Sequence, residues 1–432
     1  MYIFLISFAS GFNREVMDNR VVITGLGAIT PIGNDIQSFW DSLKNGICGI
    51  SEINEFPTEI LPVHIAGKIR NFNPEDYGLD KRFTRKQDRF SIYASAAAFQ
   101  AMNDSGLKSG ENVDPYRLGV YVSSGIGGFE TIFGECAKMV EDPSGQWVSP
   151  NFVPSMIGNI AAGQIAIRYE AFGPCLDVVT ACASSTHSLG EAYRAIKHGY
   201  ADAIIAGGSE AVAIPIGIAA FNNSRTLSKI EDPKHASLPF NLNRDGFFIA
   251  EGSSVLVLEE YEHAVARGAK IYAEMVGYGN TCDAFSATAP RPDGSTQARC
   301  ISDALEQAGY DAAGDVVYMN AHGTGTSLND KAETLAYKIV FGQEASKIHI
   351  SSTKSMHGHM LGATGATEAI AAILAMNNST VPPTINLDAA DPECDLNYTP
   401  NVAVEAEITL ALSDSFGFGG HNACIAFRKA DK

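Results

Sequence analysis

The sequence predicts a layered α/β protein built from two similar halves. Short β-branched and apolar runs alternate with helical stretches along the chain, and the pattern restarts after Ala269. Glycine supplies 41 of 432 residues and proline only 18, a balance that fits many tight strand-to-helix turns and no low-complexity linker. A chain of this length exceeds one ordinary core. Two packed halves are therefore expected, residues 17–270 and 271–432, meeting near Gly268 to Ile271 without a long linker.

Taken in order, Met1 to Phe12 are apolar but lack a basic start and a small-residue cleavage site, and fall short of the ~20 residues that cross a bilayer. Residues 1–16 read as a tail, with Met17 as a candidate start. The first strand runs from Val21 and is expected to stop at Gly25 and Gly27, before a polar helix start at Asn34 and Asp35. Gly25-x-Gly27 carries part of a dinucleotide fingerprint, but the third glycine is missing and Pro31 interrupts the helix such a site needs. Further strands are expected at residues 118–125, 176–180, 203–208 and 255–259, then at 316–321, 348–352 and 423–427.

With 45% hydrophobic and 19% charged residues the chain has ample apolar surface for a globular core. A net charge of −18 opposes the approach of nucleic acid or an anionic membrane, so an acidic partner has to be met by a local basic patch. The eight cysteines form no Cys-x-x-Cys pair and no secretory signal precedes them, which predicts reduced thiols in the cytoplasm.

Four constellations carry chemistry. In Val178-Val-Thr-Ala-Cys182-Ala-Ser-Ser a strand meets small residues and then a helix, placing Cys182 at a helix N-terminus where orphan N–H groups favour a thiolate. The dipole contributes ~0.3–1 kcal/mol, less than one pKa unit at ~1.36 kcal/mol. A nucleophile there needs a further donor or histidine, and a buried core cysteine is the alternative. Asn320-Ala-His322-Gly-Thr324-Gly-Thr326 ends a strand in a histidine, followed by a helix with Asp330 and Glu333 in its first turns; a histidine that only caps the turn is the alternative. Ser352-Thr-Lys354-Ser-Met-His357-Gly-His359 brings a lysine and two histidines together, which leaves a metal pair or a pyridoxal-type lysine open, although no ligand cluster accompanies either. Ser415-Phe416-Gly-Phe418-Gly-Gly-His421 is a glycine-rich turn suited to presenting backbone N–H groups, or to wrapping two core phenylalanines.

In this order the four segments resemble the β-ketoacyl-[acyl-carrier-protein] synthases, and among them the elongating synthases II of bacterial-type fatty acid synthesis, over Val21 to Lys429. The resemblance implies the thiolase fold, two similar α/β halves in five layers (α-β-α-β-α), and a homodimer. It implies decarboxylative condensation of malonyl and acyl thioesters on acyl carrier protein, with no cofactor, no metal, and neither nucleic acid nor membrane as partner. Cys182 would take the acyl chain, with the N–H groups of Cys182 and Phe418 as oxyanion donors; His322 and His359 would stabilise the enolate. Lys354 would polarise the site through Glu333, with Asp330 in support. Thr324 and Thr326 would meet the pantetheine arm, while Phe221, Ile126 and Phe416 would line the acyl site. The basic segment Lys81-Arg-Phe-Thr-Arg85-Lys86-Gln-Asp-Arg89, helped by Arg225 and Lys229, is expected to dock the carrier; a solvated helix face is the alternative. Departures are His357 where the family has Thr, Asn329 where it has Gly, and Asp414 where Asn is common. Across Gly358 only one of His357 and His359 can readily face Cys182, and the resemblance implies His359, because the family places its catalytic imidazole five residues after the lysine. A polyketide or aryl-polyene ketosynthase, a degradative thiolase, and a non-catalytic chain-length partner subunit are the other readings; the thiolase needs a second cysteine near the C-terminal glycine loop, where His421 stands and Cys424 falls inside the final strand, and the partner subunit normally lacks the nucleophile.

Overall fold

The computed structural model describes residues 18–430; the tail at 1–16 and the candidate start Met17 lie outside the described residues. The first half contributes β1 (Val21–Ile29), α1 (Arg89–Ser105), β2 (Leu118–Ser123), α2 (Ile160–Tyr169), β3 (Cys175–Leu176), α3 (Ser184–Lys197), β4 (Ala203–Glu210) and β5 (Gly252–Glu260). The second repeats that order as β6 (Ala273–Cys282), α4 (Ser295–Gln307), β7 (Val317–Asn320), α5 (Ser327–Phe341), β8 (His349–Ser351), α6 (Thr364–Asn377), β9 (Leu410–Gly417) and β10 (His421–Arg428).

Sheet order repeats as well. The strands run β3-β2-β4-β5-β1 in one half and β8-β7-β9-β10-β6 in the other, and β1 pairs antiparallel with β6 at Val21–Ile23 to close one ten-stranded sheet. Within each half the two strands at the outer edge run parallel to their neighbour and the last strand runs antiparallel on both sides. Three apolar cores alternate with the sheet faces. One lies under α1 and α2, one under α4 and α5, and the central one is built on α3 and α6, which are packed between the two halves. This is the five-layer arrangement that the resemblance implies. The central layer explains α6, whose residues Thr364 to Met376 are all buried: a helix apolar all round belongs inside a protein.

Several strands differ from expectation. β1 does not stop at its glycines but runs through them, because a Cβ on Gly25 would lie 2.2 Å from the Ala101 carbonyl oxygen, and one on Gly27 2.0 Å from that of Ala97. The glycines let α1 lie directly on the sheet, a packing role with nothing left for a phosphate. Gly277 and Gly279 repeat it against α4, with distances of 2.2 and 1.8 Å to the carbonyl oxygens of Ala304 and Cys300. The strand expected at 176–180 is reduced to Cys175–Leu176, since residues 177–180 turn away to reach Cys182. β6 and most of β9, which the sequence did not announce, complete the second half.

Candidate active site

Each half opens its central helix with the same device. Ala181 holds a left-handed φ of +51° ahead of the tight turn Ala181–Ala183 that leads into α3; Leu361 holds +46° ahead of Leu361–Ala363, which leads into α6. The turn thrusts Cys182 out at the end of α3, while the matching position in the second half is Gly362. The loop after β9 closes over the nucleophile: a Cβ on Gly417 would meet the Thr180 carbonyl oxygen at 2.6 Å.

Cys182, His322, His359, Phe416 and Phe418 line one cavity of about 310 Å³, with Thr324, Thr326 and Arg225 also in its wall. Cys182 is 8% exposed. Burial pushes its thiol up to about 12, opposed by the Lys354 ammonium and by the backbone N–H groups of Phe418 and of Cys182 itself. Cys182 therefore rests as a thiol beside groups that favour its anion. The two N–H groups are those that the resemblance names as oxyanion donors.

The two imidazoles meet edge to face, with ring centroids 5.5 Å apart. Burial first, and then the charge on Lys354, drives both well below the usual histidine range. Both are neutral at pH 7. The Leu361 N–H donates to Nδ1 of His359 at 3.3 Å, and the Thr364 hydroxyl lies 3.1 Å from the same atom. Nδ1 is thus the acceptor, and the ring proton sits on Nε2. Among the described residues His322 Nδ1 is buried with no hydrogen-bond partner.

Lys354 opens the short helix Lys354–His357 and is buried, as is its partner. That partner corrects the sequence reading: Nζ lies 2.6 Å from Oε1 of Glu368 on α6, not on Glu333. Glu333 instead accepts from the Gly323 N–H, the Asn329 amide and the Tyr337 hydroxyl, and so braces the turn after His322. Asp330 accepts from the N–H groups of Phe240 and Gly325 and faces Arg244 at 3.6 Å, which fixes the Gly-Thr turn bearing Thr324 and Thr326.

His357 takes no part in the cavity. Nδ1 donates to the Gly358 carbonyl at 2.7 Å and Nε2 accepts from Thr353 Oγ1 at 3.0 Å, so both ring nitrogens are used. Burial lowers its pKa to about 3. Two histidines pointing apart cannot share a metal ion, and among the described residues no group of three or more His, Cys, Asp or Glu is arranged to hold one. Cys424, which a thiolase would need at the site, is buried inside β10.

Other expected residues fall around the cavity. Phe221 packs edge to face on Phe247 at 5.9 Å, and Phe247 in turn on His359 at 4.9 Å. Neither Phe221 nor Ile126 lines the open cavity. Ile126 lies in the turn after β2, where its N–H, that of Gly125 and the Ser124 hydroxyl bind the Glu210 carboxylate, which also binds the Gly362 N–H. Glu210 and Glu368, both fully buried and placed next to the cavity by their contacts to the Gly362 N–H and to Lys354, were missed by sequence reasoning. An acid in the middle of an all-apolar helix, as Glu368 is, was the available signal. Of the basic segment, Lys81, Arg82, Arg85 and Lys86 are exposed. Arg89 is not free to bind a partner, being held by Glu130 at 2.7 Å and Glu251 at 3.4 Å.

Comparison with known proteins agrees with this geometry. The N-terminal domain of beta-ketoacyl synthases matches residues 18–264 and the C-terminal domain residues 272–388. The chain is 48% identical over 412 residues to a 3-oxoacyl-[acyl-carrier-protein] synthase 2 of Staphylococcus aureus (strain COL), covering 95% of this chain and 99% of that protein. It is 46% identical over 412 residues to the protein of the same name in Synechocystis sp., covering 95% and 98%. Among solved structures, a beta-ketoacyl synthase from Burkholderia phymatum superposes with a TM-score of 0.88 at 35% identity, covering 96% of this chain and 100% of that one. A ketosynthase solved in complex with a type II PKS acyl-carrier protein gives 0.85 at 34%, with the same coverage. On two matched domains and near-full-length relatives, this chain belongs to the beta-ketoacyl synthase family.

Proposed function

We propose that this protein elongates acyl chains by decarboxylative Claisen condensation of malonyl-acyl-carrier-protein with an acyl thioester, giving 3-oxoacyl-acyl-carrier-protein. The observation that carries the reading is the convergence of Cys182 with two neutral imidazoles in one cavity, backed by a buried ammonium.

Cys182 Sγ attacks the acyl thioester; the S–C bond to the carrier breaks as the bond to Cys182 forms, and the thiol proton passes to the departing carrier sulfur. The N–H groups of Cys182 and Phe418 stabilise the oxyanion of that step. Malonyl thioester then enters and its C–C bond to CO2 breaks. Neutral His359 donates from Nε2 to the forming enolate oxygen, a donation that the Leu361 N–H fixes by occupying Nδ1. His322 is the second donor. A charged imidazolium would pair with the malonyl carboxylate in the ground state and hold the charge that must leave, so keeping both rings neutral serves the transition state. The enolate carbon attacks the Cys182 thioester, and the released thiolate recovers a proton from water. Lys354 holds its positive charge within reach of each anion without a covalent role. Thr324 and Thr326 take the pantetheine arm, and Phe416, Phe221 and Ile126 border the acyl chain, Phe221 and Ile126 from outside the open cavity.

The carrier is acidic by its family's chemistry, and the exposed Lys81, Arg82, Arg85 and Lys86, with Arg225 and Lys229, are the docking surface on a chain of net charge −18. The enzyme works as a homodimer in the cytoplasm, with its eight cysteines free. Among the described residues no helix is long and apolar enough to cross a membrane. The polyketide reading draws on ketosynthase neighbours at 33–34% identity and is the weaker one against relatives at 46–48%.

The test is purified protein with acyl- and malonyl-carrier substrates and mass spectrometry of Cys182. An acyl adduct and a product two carbons longer are expected. Cys182→Ala abolishes both, and Cys182→Gln keeps malonyl decarboxylation. Condensation by the alanine variant would sink the assignment.

A further inference from the structure

Two departures from the family pattern, Asn329 and Asp414, meet in one buried cluster behind His322. Tyr337 lies one turn beyond Glu333 on α5, and its hydroxyl is 2.7 Å from Glu333 Oε1 and 2.9 Å from Asp414 Oδ2 of β9. All three side chains are fully buried. The remaining carboxyl oxygens are taken by fixed donors. Asp414 Oδ1 accepts from the His322 N–H at 2.7 Å, while Glu333 Oε2 accepts from the Gly323 N–H and the Asn329 amide, both at 2.9 Å.

Counting protons shows what is missing. A phenol carries one proton and can donate to only one of the two carboxyls. With both carboxyls ionised, the other contact would press two lone pairs together between side chains buried away from solvent. A second proton, on Glu333 Oε1 or Asp414 Oδ2, turns both contacts into hydrogen bonds, because the carboxylic acid donates to the phenol and the phenol to the carboxylate.

We propose that Glu333, Tyr337 and Asp414 share one buried proton at neutral pH, and that this triad is a positioning device that holds the His322–Gly323 turn by its two backbone N–H groups.

The surroundings fit. Facing the triad are Asp330 on α5, Cys300 on α4, Cys424 on β10, Tyr398, His322, and the Lys354–Glu368 pair from the central layer. The nearest cations are committed elsewhere: Lys354 to Glu368, and Arg244 to Asp391 and Asp330. Burial raises both carboxyls, Asp414 to about 7 and Glu333 well above the usual range, and the neighbouring Asp414 raises Glu333 further. An asparagine at 414 would supply the second hydrogen from its own amide. The aspartate makes the same contacts depend on a proton.

The shared proton stands on geometry alone, while its bearing on catalysis rests on reading His322 as an enolate donor. The experiment separates the two. An infrared difference spectrum, parent minus Asp414→Asn, is expected to show a protonated carboxylic acid band at pH 7 that fades as pH rises towards 10. No such band would overturn the proposal. Should Asp414→Asn fail to fold, Glu333→Gln removes the same proton from the opposite side and must give the same band. The second reading is the pH profile of malonyl decarboxylation. The parent is expected to lose activity on the alkaline side, and Asp414→Asn to lose several-fold less over the same range. Identical alkaline limbs with the band present would overturn the positioning role while leaving the condensing reading intact.

Discussion

The backbone N–H of Leu361, a residue held at φ +46°, donates to Nδ1 of His359. A strained turn thus selects the tautomer of a ring that faces the nucleophile. Removing that ring, His359→Ala, should lower malonyl decarboxylation by ~10²–10³, the value of one preorganised donor. The measurement is decarboxylation rate with malonyl-carrier substrate in the Cys182→Gln background. A loss below tenfold would show that His359 is not an enolate donor.

Cys182 should react slowly as a free thiol. With burial raising it to about 12, the rate of alkylation by iodoacetamide should climb with pH through 10 without levelling off. Peptide mass spectrometry separates this site from the exposed Cys136, Cys175 and Cys282. A plateau below pH 9 would mean that the resting site already holds a thiolate.

His357 should cost stability in acid and contribute nothing to catalysis. Its folded pKa of about 3 lies below the ~6.5 of an unfolded histidine, so its contribution is present above pH 6.5 and is lost as pH falls towards 3. At pH 5 the difference is about 2 kcal/mol. His357→Thr should therefore melt progressively higher relative to the parent as pH drops from 7 to 5, with decarboxylation unchanged. A melting difference independent of pH would refute the buried neutral state, and a collapse of activity would reassign the catalytic histidine.

Charge reversal at Arg85 and Lys86 should raise KM for carrier-bound substrate about tenfold, the equivalent of ~1.4 kcal/mol, and hardly change it for acyl-coenzyme A. Arg89→Glu is the contrast: it breaks contacts to Glu130 and to the buried Glu251, so its effect should fall on stability. Equal KM effects on both substrates would remove the docking role.

The sequence carried the parts of the site that are local. A small-residue turn before a helix marks Cys182, a strand ending in His-Gly-Thr marks His322, and the spacing Lys354 to His359 marks the second imidazole. What stayed hidden depends on residues far apart in the chain. Lys354 has acids at several distances in sequence, and only the packing of α6 between the halves makes Glu368 its partner. Tyr337 reads as an ordinary core aromatic until β9 sets Asp414 beside it. β6 and β9 escaped notice because glycines in β6 and the buried Ser413, Asp414 and Ser415 in β9 interrupt their apolar pattern; of these, Asp414 joins the buried network around His322. Ile126 and Phe221 were placed by resemblance; neither lines the cavity, Phe221 packing behind Phe247 and Ile126 standing exposed in the turn after β2.

The position of β9 and β10 has a consequence for how the chain is made. The first half has all five of its strands once Glu260 is synthesised. The second half does not complete its sheet in chain order: Leu410–Gly417 and His421–Arg428 insert between β7 and β6, so until they emerge β7 and β6 each keep a bare edge. Phe418 arrives with the inserted strands. Cys182 thus precedes Phe418 along the chain by the whole second half, so a chain cut short before β9 would carry Cys182 without the Phe418 N–H that lies against it.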